Sequence, residues 1–230
     1  RGVTESVLGI HKNAVIPEYH GNTLRKRVSG LQVDESAAKP AGETTGKVAL
    51  FATCYANNNS PQLGEELIAV LQHNDVVVKL AEKEQCCGMP KLELGDLEAV
   101  EAAKDANIPV LAKLVDEGWD IMAPVPSCVL MFKQELPLMF PEDAEVAKVR
   151  DAIFDPFEYL MLRHKHEKLK TDFIESLGKI AYQVACHLRV PNTGTKPRAL
   201  LELIRDPRVE PLALCTGTAD LYTAAPYIHD

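Results

Sequence analysis

The chain has 230 residues, 46% hydrophobic and 25% charged, with a net charge of −8; this is the composition of a globular protein long enough for one large or two small domains, and it excludes disorder. Lys and Arg are scattered apart from Arg25-Lys26-Arg27, so the electrostatic footprint of a nucleic-acid binder is missing. No apolar run nears the roughly 20 residues that span a bilayer, and the N-terminal RGVTESVLGIHKN has no signal-peptide core. A cytoplasmic location is therefore expected, where thiols stay reduced and serve better as metal ligands than as bridges. The first residue is Arg1 rather than Met, which implies removal of something upstream by processing or truncation.

In chain order, residues 1–46 read as an arm and linker, the helical arm over 1–32 with Val7, Leu8 and Ile10 and the linker-like DESAAKPAGETTG over 34–46. KVALFATC (47–54) predicts a strand, and Ser60-Pro61 followed by Leu63, Leu67, Ile68, Val70 and Leu71 predicts a helix, making a βα unit; Asn57-Asn58-Asn59 reads as a loop. DVVVKLAE (75–82) predicts a second strand leading into EQCCGMP, after which 94–117 is helix-forming, with Pro109 expected to split it in two. WDIMAPVPSC (119–128) predicts a third strand running into VLMFKQELPLMF, read as core or subunit contact, with an amphipathic membrane-docking helix as the alternative. The first repeat is thus placed at 47–143, a helical connector at 144–178 and a second, partial repeat at 179–230. His164 and His166, two apart in the connector, point to different sides of a helix and are expected to be solvated. Alternating strands and helices imply an α/β fold of two pseudo-repeated, βαβ-type (Rossmann-like) halves with mostly parallel sheets, the second incomplete.

EQCCGMP places two thiols side by side in a chain with six cysteines. Adjacent cysteines bridge each other only across a strained peptide, so the pair faces a third party, a metal or cluster, unless it is merely two small residues beside a turn. Cys54 ends the first predicted strand, Cys86 and Cys87 follow the second and Cys128 ends the third, all at carboxyl ends, where open α/β sheets keep their sites. KIAYQVACH (179–187) echoes KVALFATCY, ALLELIRD (199–206) parallels LGEELIAVLQHN, and EPLALCTG (210–217) parallels AEKEQCCG with Thr216 in place of the second vicinal cysteine. Cys186 and Cys215 therefore occupy the stations of Cys54 and Cys86, and the second half lacks a counterpart of the PSC strand. No GxGxxG, P-loop or Ser/His/Asp set is present, and no catalytic residue is assigned.

These residues resemble the cysteine-rich CCG-domain subunits of iron-sulfur oxidoreductases, a family that includes the B subunit of heterodisulfide reductase, the glycolate oxidase iron-sulfur subunit and the C subunit of anaerobic glycerol-3-phosphate dehydrogenase. Its signature is a cysteine, a gap of thirty-odd residues, CCG, a similar gap and CxxC, given twice. Here the first copy reads Cys54, Cys86-Cys87-Gly88 and Cys128, with Met131 replacing the last cysteine. The resemblance implies a [4Fe-4S] cluster on Cys54, Cys86, Cys87 and Cys128, four thiolates being the complement of an ordinary cluster and one short of a noncubane one. Zinc is the competitor, although adjacent cysteines and long gaps suit its usual knuckles poorly. The second site, Cys186 and Cys215, is expected to be empty, partial or filled by zinc with His187 as a further ligand. The implied role is an iron-sulfur electron-transfer subunit of a multi-subunit oxidoreductase, working between a flavoprotein or other oxidoreductase subunit and a quinone or other acceptor, cytoplasmic or peripheral on the inner face of the cytoplasmic membrane. A heterodisulfide or thiol reductase subunit and a zinc-stabilised interaction module are the alternatives. In the branch of the glycerol-3-phosphate dehydrogenase C subunit, which PSCVLMFKQELPLMFP and ACHLRVPNTG resemble, a ferredoxin-like domain usually precedes this part and a further cysteine-bearing segment follows.

Overall fold

Four short, mainly apolar runs pair side by side in a sheet whose two faces are both covered. In the computed structural model the described residues are 17–82, 84–173, 178–189, 195–204 and 208–211, with 6, 7, 9, 11, 14 and 176. In chain order they form α1 (Leu24–Arg27), β1 (Lys47–Leu50), α2 (Cys54–Asn58), α3 (Pro61–His73), β2 (Val77–Leu80), α4 (Met89–Glu93), α5 (Leu97–Asp116), β3 (Asp120–Met122) and α6 (Pro126–Leu130). A π-helical turn (Met131–Glu135) continues α6 into α7 (Leu136–Met139), followed by α8 (Ala144–Ala152), β4 (Ile153–Phe154) and α9 (Pro156–Lys165). The remainder is β5 (Lys179–Tyr182), α10 (Cys186–Arg189), α11 (Lys196–Leu201) and β6 (Arg208–Pro211).

Strands β1 to β4 make one all-parallel sheet in the order β2-β1-β3-β4, with Val48 opposite both Val78 and Asp120, and Ile121 opposite Ile153. The period of two divides the core. Val48, Leu50, Met122 and Phe154 face Leu24, Ile68, Leu71 and Tyr159 on one side, and Ala49, Phe51, Ile121 and Ile153 face Val100, Leu111, Met131 and Phe132 on the other. Helices thus cover both faces, the doubly wound arrangement expected for alternating strands and helices. Beyond it, β5 and β6 pair in parallel, Lys179 opposite Arg208, and repeat the β1–β2 pattern: β1 and β5 each begin at a lysine, and each is followed by a helix whose first residue is a cysteine. This second unit rests on the first where α11 packs on α9 and α10 on α6, and Glu158 receives both Lys133 and Lys196.

Several elements differ from the sequence reading. Pro109 does not split its helix; α5 runs unbroken over 20 residues. Pro109 and Asp105, whose carbonyl it leaves without its usual donor, both lie on the exposed face, while Val100, Ile108, Leu111 and Leu114 hold the helix to the sheet against a proline cost of about 3 kcal/mol. The third strand stops at Met122, and Pro126 opens a helix in its place, since proline fits the first helical turn and cannot donate to a ladder. Asn57 and Asn58 lie within α2 rather than a loop, and with Asn59 they hold the arm: Asn57 Oδ1 accepts from Arg25 N–H, Asn59 Nδ2 donates to the Glu18 carbonyl, and His20 N–H donates to the Asn58 carbonyl. Ile153 and Phe154, inside the segment read as a helical connector, add an edge strand. The VLMFKQELPLMF stretch is mainly core, with Val129, Leu130, Met131, Phe132 and Leu136 buried and Leu138 exposed.

At the amino edge, ahead of β3, Trp119 is 1% exposed and lies beneath two ammonium groups, Lys79 Nζ at 4.0 Å and Lys47 Nζ at 5.0 Å from its ring centroid. Across the sheet, Leu24 of the arm is fully buried against α3 at a position where a side chain would not fit: a Cβ on Gly64 would lie 2.2 Å from Leu24 Cδ2. Gly64→Ala is therefore expected to displace the arm and destabilise the protein by about 1–3 kcal/mol, seen as a lower urea midpoint and faster proteolysis of residues 17–46.

Candidate metal centre

Three loops leave the carboxyl edge of the sheet, and each carries a thiol to the same place. The first is forced by Thr53, whose φ of 61° and ψ of 157° lie in a region that only glycine visits freely. Its buried hydroxyl accepts the Ala56 N–H at 3.1 Å and caps α2, so the strained turn ends β1 and starts a helix at Cys54.

The second loop holds Cys86 and Cys87 and ends at Gly88, where φ is +96°. Space is not the reason for this glycine: a Cβ there would meet Ala103 Cβ at 3.4 Å and Met131 Cε at 3.5 Å, ordinary contacts, so the left-handed conformation selects it. Asn107, 1% exposed on α5, ties the loop down: its Oδ1 accepts Gln85 N–H at 2.8 Å, and its Nδ2 donates to the Cys86 carbonyl at 3.1 Å and to the Ala103 carbonyl at 2.9 Å. Glu84, its side chain 8% exposed, does the same toward the first loop. Its Oε2 accepts Ala52 N–H at 2.8 Å, and its Oε1 lies 2.9 Å from Arg25 Nη2, which also donates to the Ala81 carbonyl. Burial raises the Glu84 carboxyl to about 7, against the pull of Arg25. The third loop runs from β3 to Cys128 in the first turn of α6.

The four thiols are linked in sequence by hydrogen bonds, and the ends, Cys54 and Cys128, also interact electrostatically. Cys54 is hydrogen-bonded to Cys86, Cys86 to Cys87, and Cys87 to Cys128. Cys87 and Cys128 belong to the core, 3% and 4% exposed, whereas Cys54 and Cys86 reach solvent. A negative charge is concentrated at one sulfur: hydrogen bonds from Cys54 and then Cys87, with the Gly88 N–H and the Lys91 charge, bring Cys86 down to about 2. Its neighbours move the other way, Cys54 because it donates to Cys86, and Cys87 because of Cys128, Cys86 and burial. The N–H groups of Tyr55 and Met89 also point at sulfur, at Cys54 and Cys87. Among the described residues, no three His, Cys, Asp or Glu side chains close tightly enough to surround a single metal ion.

Cys54, Cys86, Cys87 and Cys128 were expected at one edge, and the structure brings them together, although Cys54 and Cys128 open helices rather than end strands. Cys186 opens α10, which packs on α6, the helix of Cys128. His187 beside it places Nε2 3.9 Å from Glu93 Oε1, with Nδ1 buried and without a hydrogen-bond partner. Cys215 and Thr216 lie outside the described residues. Arg25, Glu84 and Asn107 escaped the sequence reading. The one signal for Asn107 was an amide on an otherwise apolar helical face.

An open, all-parallel α/β sheet with thiols gathered at its carboxyl edge defines a cysteine-rich α/β domain. The chain carries a CCG cysteine-rich domain, the family profile of that description matching residues 48–133. It is homologous to the C subunit of anaerobic glycerol-3-phosphate dehydrogenase of Escherichia coli (strain K12), 27% identical over 228 residues that make up 96% of this chain and 54% of the relative. It is likewise homologous to lactate utilization protein A of Bacillus pumilus (strain SAFR-032), 28% identical over 174 residues, 72% of this chain and 68% of that protein. The counterpart in Bacillus cereus (strain G9842) is 31% identical over 162 residues, 69% of this chain and 65% of that protein. The chain thus spans about half the length of the Escherichia coli relative. No solved structure matches it significantly, and no helix among the described residues is long and apolar enough to cross a membrane.

The charge distribution can be tested on metal-free protein. At about pH 6, iodoacetamide is expected to label Cys86 first, because Cys86 is the ionised sulfur while Cys54 and Cys87 hold their protons and Cys87 and Cys128 are buried; peptide mass spectrometry reads the order.

Proposed function

We propose that this chain is an iron-sulfur electron-transfer subunit of a multi-subunit oxidoreductase, with Cys54, Cys86, Cys87 and Cys128 holding a [4Fe-4S] cluster. The observation that carries the proposal is the group of four thiols, joined by consecutive hydrogen bonds and delivered by three separate loops. Among the described residues no three His, Cys, Asp or Glu side chains close around a single ion, which favours a group of several metal atoms, each taking one sulfur, over a lone zinc ion. When bound, the cluster supplies a one-electron acceptor and donor. The chain's own residues supply the rest: Cys87 and Cys128 anchor from the dry core, Cys54 and Cys86 bring the site to the surface where a partner can approach, and the N–H groups of Tyr55, Gly88 and Met89 tune the sulfurs.

The relatives support the setting. One is by name part of an anaerobic dehydrogenase, which favours another component of an oxidoreductase as the electron partner, a flavoprotein in our reading, with a quinone or other acceptor beyond it. Cys186, on a helix packed against that of Cys128, belongs to a second site, for which a residue beyond the described ones must complete the set.

Anaerobic reconstitution followed by iron, zinc and acid-labile sulfide analysis tests this reading. About four iron and four sulfide per chain, with an EPR signal on reduction, is the expected result, and a colourless zinc protein without sulfide overturns it. Cys128→Ser is expected to lose most of the iron and to melt at a lower temperature than the loaded wild type, because binding free energy at a metal site is also folding free energy. Met131→Cys, a change beside Gly88 in the core, is expected to keep its iron.

A further inference from the structure

We infer that Arg25 and Glu84 form a charged strap that fixes the Cys54 loop against the Cys86-Cys87 loop and sets the electron affinity of the group held between them. The inference rests on the iron-sulfur reading above. Arg25 belongs to the arm, upstream of the segment that matches the family, and Glu84 lies two residues before Cys86.

The strap lies where the sheet stops. The β1–β2 ladder ends with Ala81 N–H on the Leu50 carbonyl, and on the other side Phe51 N–H reaches the Met122 carbonyl. The next inward donor, Ala52 N–H, has no strand left to bond, and Ala52 is fully buried. A buried N–H left unpaired would lose its hydrogen bond to water with nothing in exchange. Glu84 fills that role by folding back at 2.8 Å, so the loop of the vicinal cysteines is bonded directly to the loop of Cys54, two residues before that thiol. A carboxylate with its side chain 8% exposed is held there by a cation, and Arg25 provides it: one guanidinium nitrogen bonds both Glu84 Oε1 and the Ala81 carbonyl, joining the carboxylate to the exit of β2. Leu24, fully buried beside it, and Asn57, which accepts the Arg25 N–H at 3.2 Å, fix the guanidinium from the arm side.

Arg25 and Glu84 are therefore positioning residues, and their charges act on the cluster with opposite signs. Reduction adds negative charge, which a nearby cation favours and a nearby carboxylate opposes. A purely structural strap would loosen in either variant and would not produce opposite shifts.

The test uses the full 230-residue chain, loaded with iron and sulfide, with EPR-monitored redox titration and amide exchange at Ala52 as readouts. Titrated at about pH 9, well above the value of about 7 to which burial raises Glu84, Arg25→Gln is expected to lower the midpoint potential, Glu84→Gln to raise it, the double variant to return toward wild type, and Arg25→Lys, which keeps the charge, to stay near it. Glu84→Ala, which removes the acceptor, is expected to speed exchange at Ala52 by about tenfold or more, both loaded and metal-free. Shifts of one sign, absent shifts, or unchanged exchange in Glu84→Ala overturn the inference. If the wild type takes up neither iron nor sulfide, the iron-sulfur reading falls by itself. Exchange in the metal-free chain then decides the strap: lost protection at Ala52 in Glu84→Ala supports it and retained protection overturns it.

Discussion

All-parallel pairing sends the carboxyl end of every strand to one edge of the sheet, and the strand order β2-β1-β3-β4 makes the chain reverse its direction of travel there. The connection after β1 leads to one side and that after β2 to the other, so the exits of β1 and β3 diverge and leave a crevice. Cys54 follows β1 and Cys128 follows β3, one on each bank, and the vicinal pair enters from β2. The position of the thiols, the need for a buried side chain to bridge their loops, and the packing of the second unit against α6 and α9 all follow from that constraint.

The site runs from core to solvent, and its electrostatics follow the gradient. Burial disfavours ionisation of Cys87, while the more exposed Cys86 gathers donors from both neighbouring thiols and from Gly88. Four thiolates in contact would repel one another strongly, so the group carries its charge at one sulfur, and a metal group of high positive charge would let the rest lose their protons. Thr53 and Gly88 hold this arrangement through backbone conformation, one under strain and the other through the absence of a Cβ.

Much of this was legible in the residues. Apolar runs beginning at Lys47 and Lys179, each reaching a cysteine seven positions later, gave the repeat, and the three cysteine stations gave the edge. What the sequence concealed has identifiable causes. Pro109 reads as a break because propensity says nothing about which face of a helix the proline will occupy. Ile153-Phe154 is too short to show periodicity and becomes a strand only because β3 has an unpaired edge beside it. The WDIMAPVPSC run looks continuous in hydropathy, yet two prolines turn its second half into a loop and a helix. Arg25 and Glu84 stand 59 positions apart in sequence, and nothing in either neighbourhood announces the pair.

The position of Trp119 gives the molecule an optical property. It is the chain's single tryptophan, sheathed by Lys47 and Lys79 at the amino edge of the sheet, and the strand it precedes leads directly to Cys128. Indole emission depends on water and on nearby charge, so it reports whether this edge of the sheet is intact. An absorbing group bound at the opposite edge would drain the same emission by resonance transfer. One fluorophore thus reports unfolding through its colour and occupancy of the distant thiols through its brightness.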